Sequence, residues 1–276
     1  MKLNSSKLIV NQIDKITWQL IEGVGRGAAY SYLLEGTDSA VLIDTGYGLS
    51  NLRSACKKLC GKPTFVINTH GHLDHISKNG DFNLSFIHPS DIKVFDEHSS
   101  YSFRKKFIFD RMEKKNIPKS FFYLPIYGRK YRKQCVVRMS KEVGFLHDGM
   151  EFELGDRKLR IIHTPGHTMG SVCIYEKQTN RIYSGDMICS QGVLLNFEHS
   201  STVEVYKRSL LELKYISNSN TRFFPGHQLS PIDHTWIDDF VECCDLILTL
   251  KDRNPDGTEF RGGLGRMIHK RAKIDY

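Results

Sequence analysis

The sequence lacks any apolar run long enough to cross a membrane. A spanning helix needs roughly 20 consecutive apolar residues, and no such stretch occurs in the 276-residue chain. The N-terminal segment alternates polar and apolar side chains, without the continuous apolar stretch and small-residue cleavage site of a signal peptide. We therefore expect it to form the first strands of the fold, in a cytoplasmic protein that has no membrane partner.

The sequence also lacks a disulfide pattern. Its seven cysteines are an odd number, and no two of them are spaced as CxxC. In a chain without a secretion signal, such cysteines are expected to be reduced and buried. We expect no catalytic role for any of them.

Length and composition favour one large domain over residues 1–276, because 40% hydrophobic residues suffice for a substantial core. The net charge of +8 is unevenly distributed. Thirteen lysines and arginines and three acidic residues lie between Ser99 and Glu142, so this segment carries an excess of ten positive charges. It is also rich in aromatic residues, and we interpret residues 99–142 as an insertion in the domain.

Apolar segments with strand and helix patterns alternate along the chain. KITWQLI, YSYLLEG and SAVLIDTG predict a strand meander, and LSNLRSACKKLC predicts a helix that stops at Gly61. PTFVINTH predicts a buried strand ending on His70, with a helix beginning just after HGHLDH. Within the insertion, residues 101–115 have a helical pattern, which Pro118 and Pro125 interrupt.

The second half of the chain repeats this order. EFEL, KLRIIHT, SVCIYE and RIYSGD predict strands, followed by a helix over VEVYKRSLLELKYI, a strand at RFFPGH and a helix over HTWIDDFVECCDLILTL. The tail from Asn254, rich in Gly and Arg, is expected on the surface. The order of meander, helices, meander and helices predicts a mixed α/β (α+β) fold with two sheets between helical layers.

The most informative motif is HGHLDH, which holds His70, His72, Asp74 and His75 directly after an apolar strand. A folded core gains nothing from three clustered imidazoles and a carboxylate, whereas zinc binds both ligand types readily. His70 and His72 are expected on one side of an extended loop. Asp74 and His75 are adjacent and are expected to point in different directions, which suits two metal ions better than one.

Three further candidate ligands follow predicted strands and are flanked by glycine, which lets the backbone bend towards a metal. They are His167 in HTPGHT, Asp186 in YSGD and His227 in FPGH. If one carboxylate is shared, the seven residues provide two sites with four protein contacts each. His163 is interpreted as a strand residue or else as a neighbour of a metal ligand. The other histidines are interpreted as surface or hydrogen-bonded residues: His88, His98, His147, His199, His234 and His269.

With these motifs in this order, and VLIDTG upstream, the sequence resembles the metallo-β-lactamase superfamily in its HxHxDH branch. The similarity runs from about Tyr32 to His227. It implies a four-layer αββα sandwich with the site at one edge of the sheets. Carried over by residue, it implies that His70, His72 and His167 hold one metal ion, that Asp74, His75 and His227 hold a second, that Asp186 bridges them, and that Asp44 orients a ligand.

The resemblance also narrows the activity. The antibiotic-degrading branch has a cysteine where Asp186 stands, and flavodiiron relatives have a glutamate where His72 stands. The complete set is more similar to glyoxalase II, the acyl-homoserine lactonases and phosphodiesterases such as tRNase Z. The implied mechanism uses a hydroxide bridging two Zn²⁺ ions roughly 3.5–4 Å apart, with Asp74 and Asp186 as catalytic residues. Fe or Mn could occupy the same nitrogen and oxygen ligands.

The basic insertion leaves the substrate open. By resemblance it is expected to overhang the site as a lid, where it could attract a small anionic substrate or, less favoured, a nucleic acid. Three hypotheses follow: an ester, thioester or lactone hydrolase; a phosphodiesterase or nuclease; and an oxidoreductase with one Fe ion, similar to the persulfide dioxygenases. Nothing in the pattern indicates an oligomeric state.

Overall fold

A computed structural model describes residues 8–23, 25–126, 128–252 and 265–276. These residues contain sixteen strands and seven α-helices and divide into two compact units. The first unit comprises the described residues up to Ile87 together with Ile92–Phe145. The second comprises His88–Asp91 and the described residues from Leu146. The single-domain organisation expected from the sequence stays a prediction.

A seven-stranded sheet forms the first unit, with its strands in sequence order. Strands one to four pair antiparallel, and strands four to seven pair parallel. The strands are β1 (Ile9–Asp14), β2 (Thr17–Glu22), β3 (Ala29–Glu35), β4 (Ala40–Ile43), β5 (Thr64–Ile67), β6 (Leu84–Ile87) and β7 (Glu142–Phe145). Trp18, Leu20, Leu33, Leu42 and Val66 pack together in the core of this unit.

Parallel pairing requires crossover connections between strands, and the helices of the first unit provide them. They are α1 (Leu52–Leu59), α2 (Leu73–Ile76), α3 (Ile92–Ser99), α4 (Tyr101–Lys114) and α5 (Arg129–Gln134). Helix α1 begins at Asn51, whose side chain accepts a hydrogen bond from the Ser54 amide, as an N-cap does. This helix and α4 confirm two of the three helices predicted in this half of the chain.

The insertion has a small hydrophobic core of its own. Ile108, Met112, Phe122 and Cys135 are buried against one another, with Phe107, Phe109, Ile117 and Tyr131 packed around them. This cluster joins α4 to α5 and to the segment between them. The main structural role of these aromatic residues is therefore to pack the core of the insertion itself.

The strands of the second unit are β8 (Glu151–Glu153), β9 (Lys158–His163), β10 (Val172–Glu176), β11 (Arg181–Gly185), β12 (Val193–Leu194), β13 (Arg222–Pro225), β14 (Ile232–Asp233), β15 (Arg266–His269) and β16 (Ala272–Asp275). They form a six-stranded sheet in the order β14-β13-β11-β10-β9-β8 and a three-stranded sheet in the order β12-β16-β15. Helices α6 (Val203–Ile216) and α7 (Trp236–Asp252) pack into the same core as the sheet residues.

Two local expectations are wrong. The strand before the metal motif ends at Ile67, three residues before His70, and α2 begins at Leu73, inside the motif. The tail is not wholly a surface segment, because Ala272 and Ile274 are fully buried in the core of the second unit. The rest of that expectation, residues 254–264, lies outside the described residues.

No helix within the described ranges is both long and apolar enough to cross a membrane.

Candidate metal centre

The predicted ligands of the first unit lie where two neighbouring parallel strands end. Asp44 directly follows β4, and two residues separate the end of β5 from the HGHLDH motif. The carboxyl ends of parallel strands lie at the same edge of a sheet, where open sheets commonly bind ligands. The pairing of β4 with β5 therefore brings Asp44 next to the motif, although the two are 26 or more positions apart in the sequence.

Asp44 is 2% exposed and accepts three hydrogen bonds from the region of the motif. Its Oδ1 accepts the Thr69 amide at 2.8 Å, and its Oδ2 accepts the Thr69 hydroxyl at 2.8 Å. The same Oδ2 lies 2.7 Å from Nδ1 of His75. Asp44 has a φ of 61°, a left-handed conformation that is costly for a residue with a side chain and recurs at functional sites.

These contacts fix the tautomers of two histidines. A carboxylate can only accept, so Nδ1 of His75 carries a proton and the lone pair lies on Nε2. The single proton of the Thr69 hydroxyl goes to Asp44, so this oxygen accepts from Nδ1 of His70, 3.1 Å away. Both rings therefore present an Nε2 lone pair, the form that binds a metal ion.

The backbone of His75 is also held in place. Its carbonyl accepts the Thr45 amide at 2.6 Å and the side-chain amide of Asn68 at 2.9 Å. Asn79 in turn donates to the side-chain oxygen of Asn68 at 2.6 Å. Gly46, next to Thr45, has a φ of 60°, and a Cβ there would lie 2.7 Å from the carboxylate of Glu22. In the segment Asp44-Thr45-Gly46, the threonine therefore holds the backbone of His75, and the glycine leaves room for the Glu22 carboxylate.

The structure places the four motif side chains close together. The rings of His70 and His72 lie 4.7 Å apart between centroids, and those of His70 and His75 lie 4.0 Å apart. The Oδ1 of Asp74 lies 4.0 Å from Nε2 of His75. The expectation that Asp74 and His75 point in different directions is therefore wrong, because the one-turn helix α2 lets both side chains reach the same region.

Sequence reasoning missed two residues that support this motif. His98, interpreted as an ordinary histidine, stacks on His72 at 4.7 Å, and its Nδ1 accepts the Leu73 amide at 3.1 Å. Arg104, counted only as part of the basic insertion, is 3% exposed and donates to Ser77, directly after α2. Arg104, Ile108 and Met112 are spaced four residues apart and lie on the buried face of α4. An arginine on an otherwise apolar helix face was the feature of the sequence that could have indicated its burial.

Loss of the carboxylate at position 44 should weaken metal binding. We expect Asp44→Asn to reduce metal affinity, measured with zinc as the probe, by about 10- to 100-fold, the usual effect of removing a partner that orients a metal-binding histidine. Asparagine tolerates the left-handed backbone, so the change acts on the hydrogen bonds rather than on the turn. Competition with a chelator measures it, and the exposed Asp38→Asn is the control. Equal zinc affinity of Asp44→Asn and wild type would contradict the role of Asp44.

The second unit holds the other three predicted ligands. Asp186 directly follows β11, and His227 follows β13, which pairs parallel to β11. The Oδ2 of Asp186 lies 3.3 Å from Nε2 of His227 and 3.5 Å from Nε2 of His167. One carboxylate oxygen thus faces both imidazoles, the arrangement expected of a shared ligand.

His167 is oriented by its surroundings in the same way as His75. Its Nδ1 lies 2.8 Å from the Leu194 carbonyl, which can only accept, so the lone pair lies on Nε2. The loop that carries His167 is held by the fully buried Asp91, whose two carboxylate oxygens accept the Gly170 amide at 2.7 Å and the Thr168 hydroxyl at 2.8 Å.

His163 does not orient His167. Its Nε2 lies 3.0 Å from the Met169 carbonyl, and its ring stacks on His88 with the centroids 4.0 Å apart. Burial, together with the neighbouring His163, lowers the pKa of His88 to about 4. This contact agrees with the interpretation of His163 as a strand residue.

The lowered pKa of His88 predicts a loss of stability in acid. The unfolded chain takes up this proton near pH 6.5, whereas the folded chain does so only near pH 4. The contribution of His88 is therefore present above pH 6.5 and is lost as the pH falls towards 4. We expect the free energy of unfolding of His88→Gln to fall less than that of wild type over this interval, in urea titrations at several pH values. Parallel pH dependence of the two proteins would contradict this.

Each unit offers nitrogen and oxygen donors that suit a metal ion. His70 and His75 in the first unit and His167 in the second have Nδ1 occupied by an acceptor and the lone pair on Nε2, and each unit has a nearby aspartate carboxylate. Zinc accepts such ligands, and iron and manganese accept them as well. Among the described residues all seven cysteines are free thiols, and none of the donors named above is a cysteine.

Comparison with known proteins identifies the family of the chain. The sequence model of the metallo-beta-lactamase superfamily matches residues 24–227. A human protein named acyl-coenzyme A thioesterase MBLAC2 is 27% identical over 210 residues, which cover 71% of each chain. PksB of Bacillus subtilis (strain 168), a probable polyketide biosynthesis zinc-dependent hydrolase, is 23% identical over 200 residues, or 72% of each chain.

The fold is similar to that of solved structures. The metallo-beta-lactamase from Pontibacter korlensis matches with a TM-score of 0.60 and 15% identity, over 87% of this chain and 99% of that one. This likeness confirms the expected fold class.

Proposed function

Because the chain belongs to the metallo-β-lactamase superfamily, we propose that it is a metal-dependent hydrolase of thioesters, acyl-coenzyme A thioesters among them. The observation that carries this proposal is the similarity to an acyl-coenzyme A thioesterase across 71% of both chains. The donor set agrees with it, because thioester hydrolysis needs an activated water and a polarised carbonyl.

The metal centre is part of the proposal. His70, His72 and His167 would hold one zinc ion, Asp74, His75 and His227 a second, and Asp186 would contact both, as the order of the motifs implies. The zinc-dependent hydrolase among the relatives supports the choice of zinc. The cytoplasmic location and the lid role of the insertion stay predictions.

The residues of the chain have defined tasks in this reaction. Bound zinc would supply the Lewis acidity that makes water a nucleophile at neutral pH. The carboxylate of Asp74, whose Oδ1 lies 4.0 Å from Nε2 of His75, would hold a proton of the reaction at that oxygen. The Oδ2 of Asp186 lies 3.5 Å from Nε2 of His167 and 3.3 Å from Nε2 of His227, so a metal ion bound by either nitrogen would be within reach of the same carboxylate.

A substrate panel combined with metal analysis tests the proposal. Purified protein is assayed with acyl-coenzyme A thioesters, lactones and a chromogenic phosphodiester, while zinc and iron are measured in the same sample. We expect thioester hydrolysis, two zinc ions per chain, and loss of activity on treatment with a chelator that zinc reverses. Preferential phosphodiester cleavage would favour the nuclease hypothesis, and one iron per chain would favour the dioxygenase.

A further inference from the structure

A cleft on the first unit is lined largely by cations from the insertion. Its volume is about 540 Å³, a size that suits a small molecule. We name it the basic cleft, after its five cationic side chains: Lys78, Arg129, Arg132, Lys133 and Arg138. Asp81 is the one carboxylate in its lining, so the cleft carries a net charge of four positive units.

The cations of the basic cleft are mostly not neutralised by the protein. The Nζ of Lys78 lies 3.6 Å from Oδ2 of Asp81. Among the described residues, the other four cations of the cleft do not pair with this carboxylate. Arg132 donates to the backbone carbonyls of Phe122 and Leu124, so its position is fixed while its charge is kept. Within the described part of the chain, Arg129, Lys133 and Arg138 form no ion pair or side-chain hydrogen bond. Several such charges in one cleft attract a polyanion.

The wall of the cleft is held by close backbone packing. A Cβ at Gly80 would lie 2.4 Å from the backbone oxygen of Arg138, so only glycine fits at this position. The Ser140 hydroxyl donates to the Asn79 carbonyl at 2.8 Å. These contacts fix the segment that carries Arg138 against the turn after α2, so this wall of the cleft is formed by packed backbone.

A second cavity of about 500 Å³ adjoins the basic cleft, since Arg129 and Lys133 line both. These two residues are four positions apart on α5 and therefore lie on one helix face. The second cavity adds apolar surface from Leu49 and from Ile126, which is 83% exposed. A ligand that fills both cavities would combine several negative charges with an organic, partly apolar portion.

The basic cleft begins beside the metal motif. Ser77, which lines it, is two residues after His75, and its hydroxyl is bound by the buried guanidinium of Arg104 at 2.6 Å. A ligand anchored in the cleft therefore has one end close to the helix that carries Asp74 and His75.

We propose that the basic cleft binds the phosphate-bearing nucleotide end of the substrate, so that the enzyme acts on thioesters of a nucleotide carrier such as coenzyme A. This inference rests on the proposed thioesterase function and adds to it the part of the substrate that is recognised. Phosphate oxygens would accept from Arg129, Lys133 and Arg138, as guanidinium and ammonium groups favour. The nucleoside would lie against the apolar surface of the second cavity.

The test compares one acyl group on two carriers. Coenzyme A and pantetheine give chemically equivalent thioesters, but pantetheine lacks the phosphates and the nucleoside. We expect the triple variant Arg129→Gln, Lys133→Gln, Arg138→Gln to lower the ratio of kcat/KM on the coenzyme A thioester to that on the pantetheine thioester by about 10- to 50-fold, for three charged contacts in a partly exposed cleft.

A matched control removes the same charge elsewhere in the insertion. The exposed side chains of Lys106, Lys114 and Lys115 lie outside the cleft, and replacing all three by glutamine should leave the ratio unchanged. A similar fall in the control would show a long-range charge effect and overturn the proposal. An unchanged ratio in the triple cleft variant would overturn it as well.

Direct binding separates failure of the cleft from failure of the thioesterase proposal. Calorimetry with coenzyme A and with inorganic pyrophosphate needs no turnover. If wild type hydrolyses no thioester but binds coenzyme A through the three cleft residues, the cleft assignment holds and the thioesterase proposal fails. Absence of coenzyme A binding overturns the cleft assignment. Tighter binding of a short single-stranded RNA that depends on the same residues overturns it in favour of a nucleic-acid ligand, and binding of pyrophosphate alone overturns the role of the nucleoside.

Discussion

We expect Asp186→Asn to lose thioester hydrolysis by on the order of 10³-fold in kcat/KM. One oxygen of Asp186 lies 3.3 Å from Nε2 of His227 and 3.5 Å from Nε2 of His167. The amide oxygen of asparagine is neutral, so the variant should hold metal poorly. It should then lose the stabilisation of several kcal/mol that metal gives a transition state, which corresponds to this factor.

Metal content decides how that loss is interpreted. Asp186→Asn should bind less than two zinc ions per chain while its circular dichroism spectrum matches wild type. The control Asp238→Asn alters a half-exposed aspartate of α7 that pairs with Lys214, and we expect it to keep both metal and activity. Full activity of Asp186→Asn on the best substrate would exclude the proposed shared ligand.

Among the substitutions proposed, replacement of Arg104 should cause the largest loss in the free energy of unfolding. Its guanidinium donates to the Gln134 carbonyl at 2.6 Å, to the His98 carbonyl at 3.2 Å and to the Ser77 hydroxyl at 2.6 Å. Burial lowers the pKa of Arg104 to about 10, so it stays charged at neutral pH. Each buried acceptor left unpaired costs about 1–3 kcal/mol, and we expect Arg104→Met to lose roughly 3–5 kcal/mol in the free energy of unfolding.

Urea denaturation measures this change, with two comparisons. Arg208→Met removes an exposed arginine from α6 and should change stability by less than about 0.5 kcal/mol. Arg104→Lys keeps a positive charge but cannot reach three acceptors with a planar fork, so it should lie between wild type and Arg104→Met. A loss below about 1 kcal/mol for Arg104→Met would show that the chain segments at Ser77, His98 and Gln134 are held together by other contacts.

Most strands and helices could be predicted because the hydrophobic pattern that forms them is local. Residues Thr17–Glu22 are buried along the whole strand, and the helix over Val203–Ile216 has both its apolar spacing and its Thr202 cap in the sequence. The hairpin of β15 and β16 was missed because its burial depends on distant partners. Ala272 and Ile274 are surrounded by residues of α7 and the second-unit sheet, which a local window does not include.

The candidate ligands could be identified from the sequence because a cluster of histidines and aspartates is unusual. The residues that hold the ligands in place could not be identified in this way. His98 and Arg104 are common residue types, and their roles depend on the approach of α3 and α4 to the metal motif. The basic cleft was visible only as excess charge. Its location became apparent when α5 placed Arg129 and Lys133 beside Arg138.

The contacts of Asp44 mean that the metal motif is not a portable peptide. The tautomer of His75 depends on a carboxylate 31 positions earlier, and that of His70 depends on a hydroxyl oriented by the same carboxylate. A designed protein that received only the six residues HGHLDH would carry imidazoles with undefined proton positions. Transfer of the site to another scaffold would have to include the ends of β4 and β5 as a pair, in register.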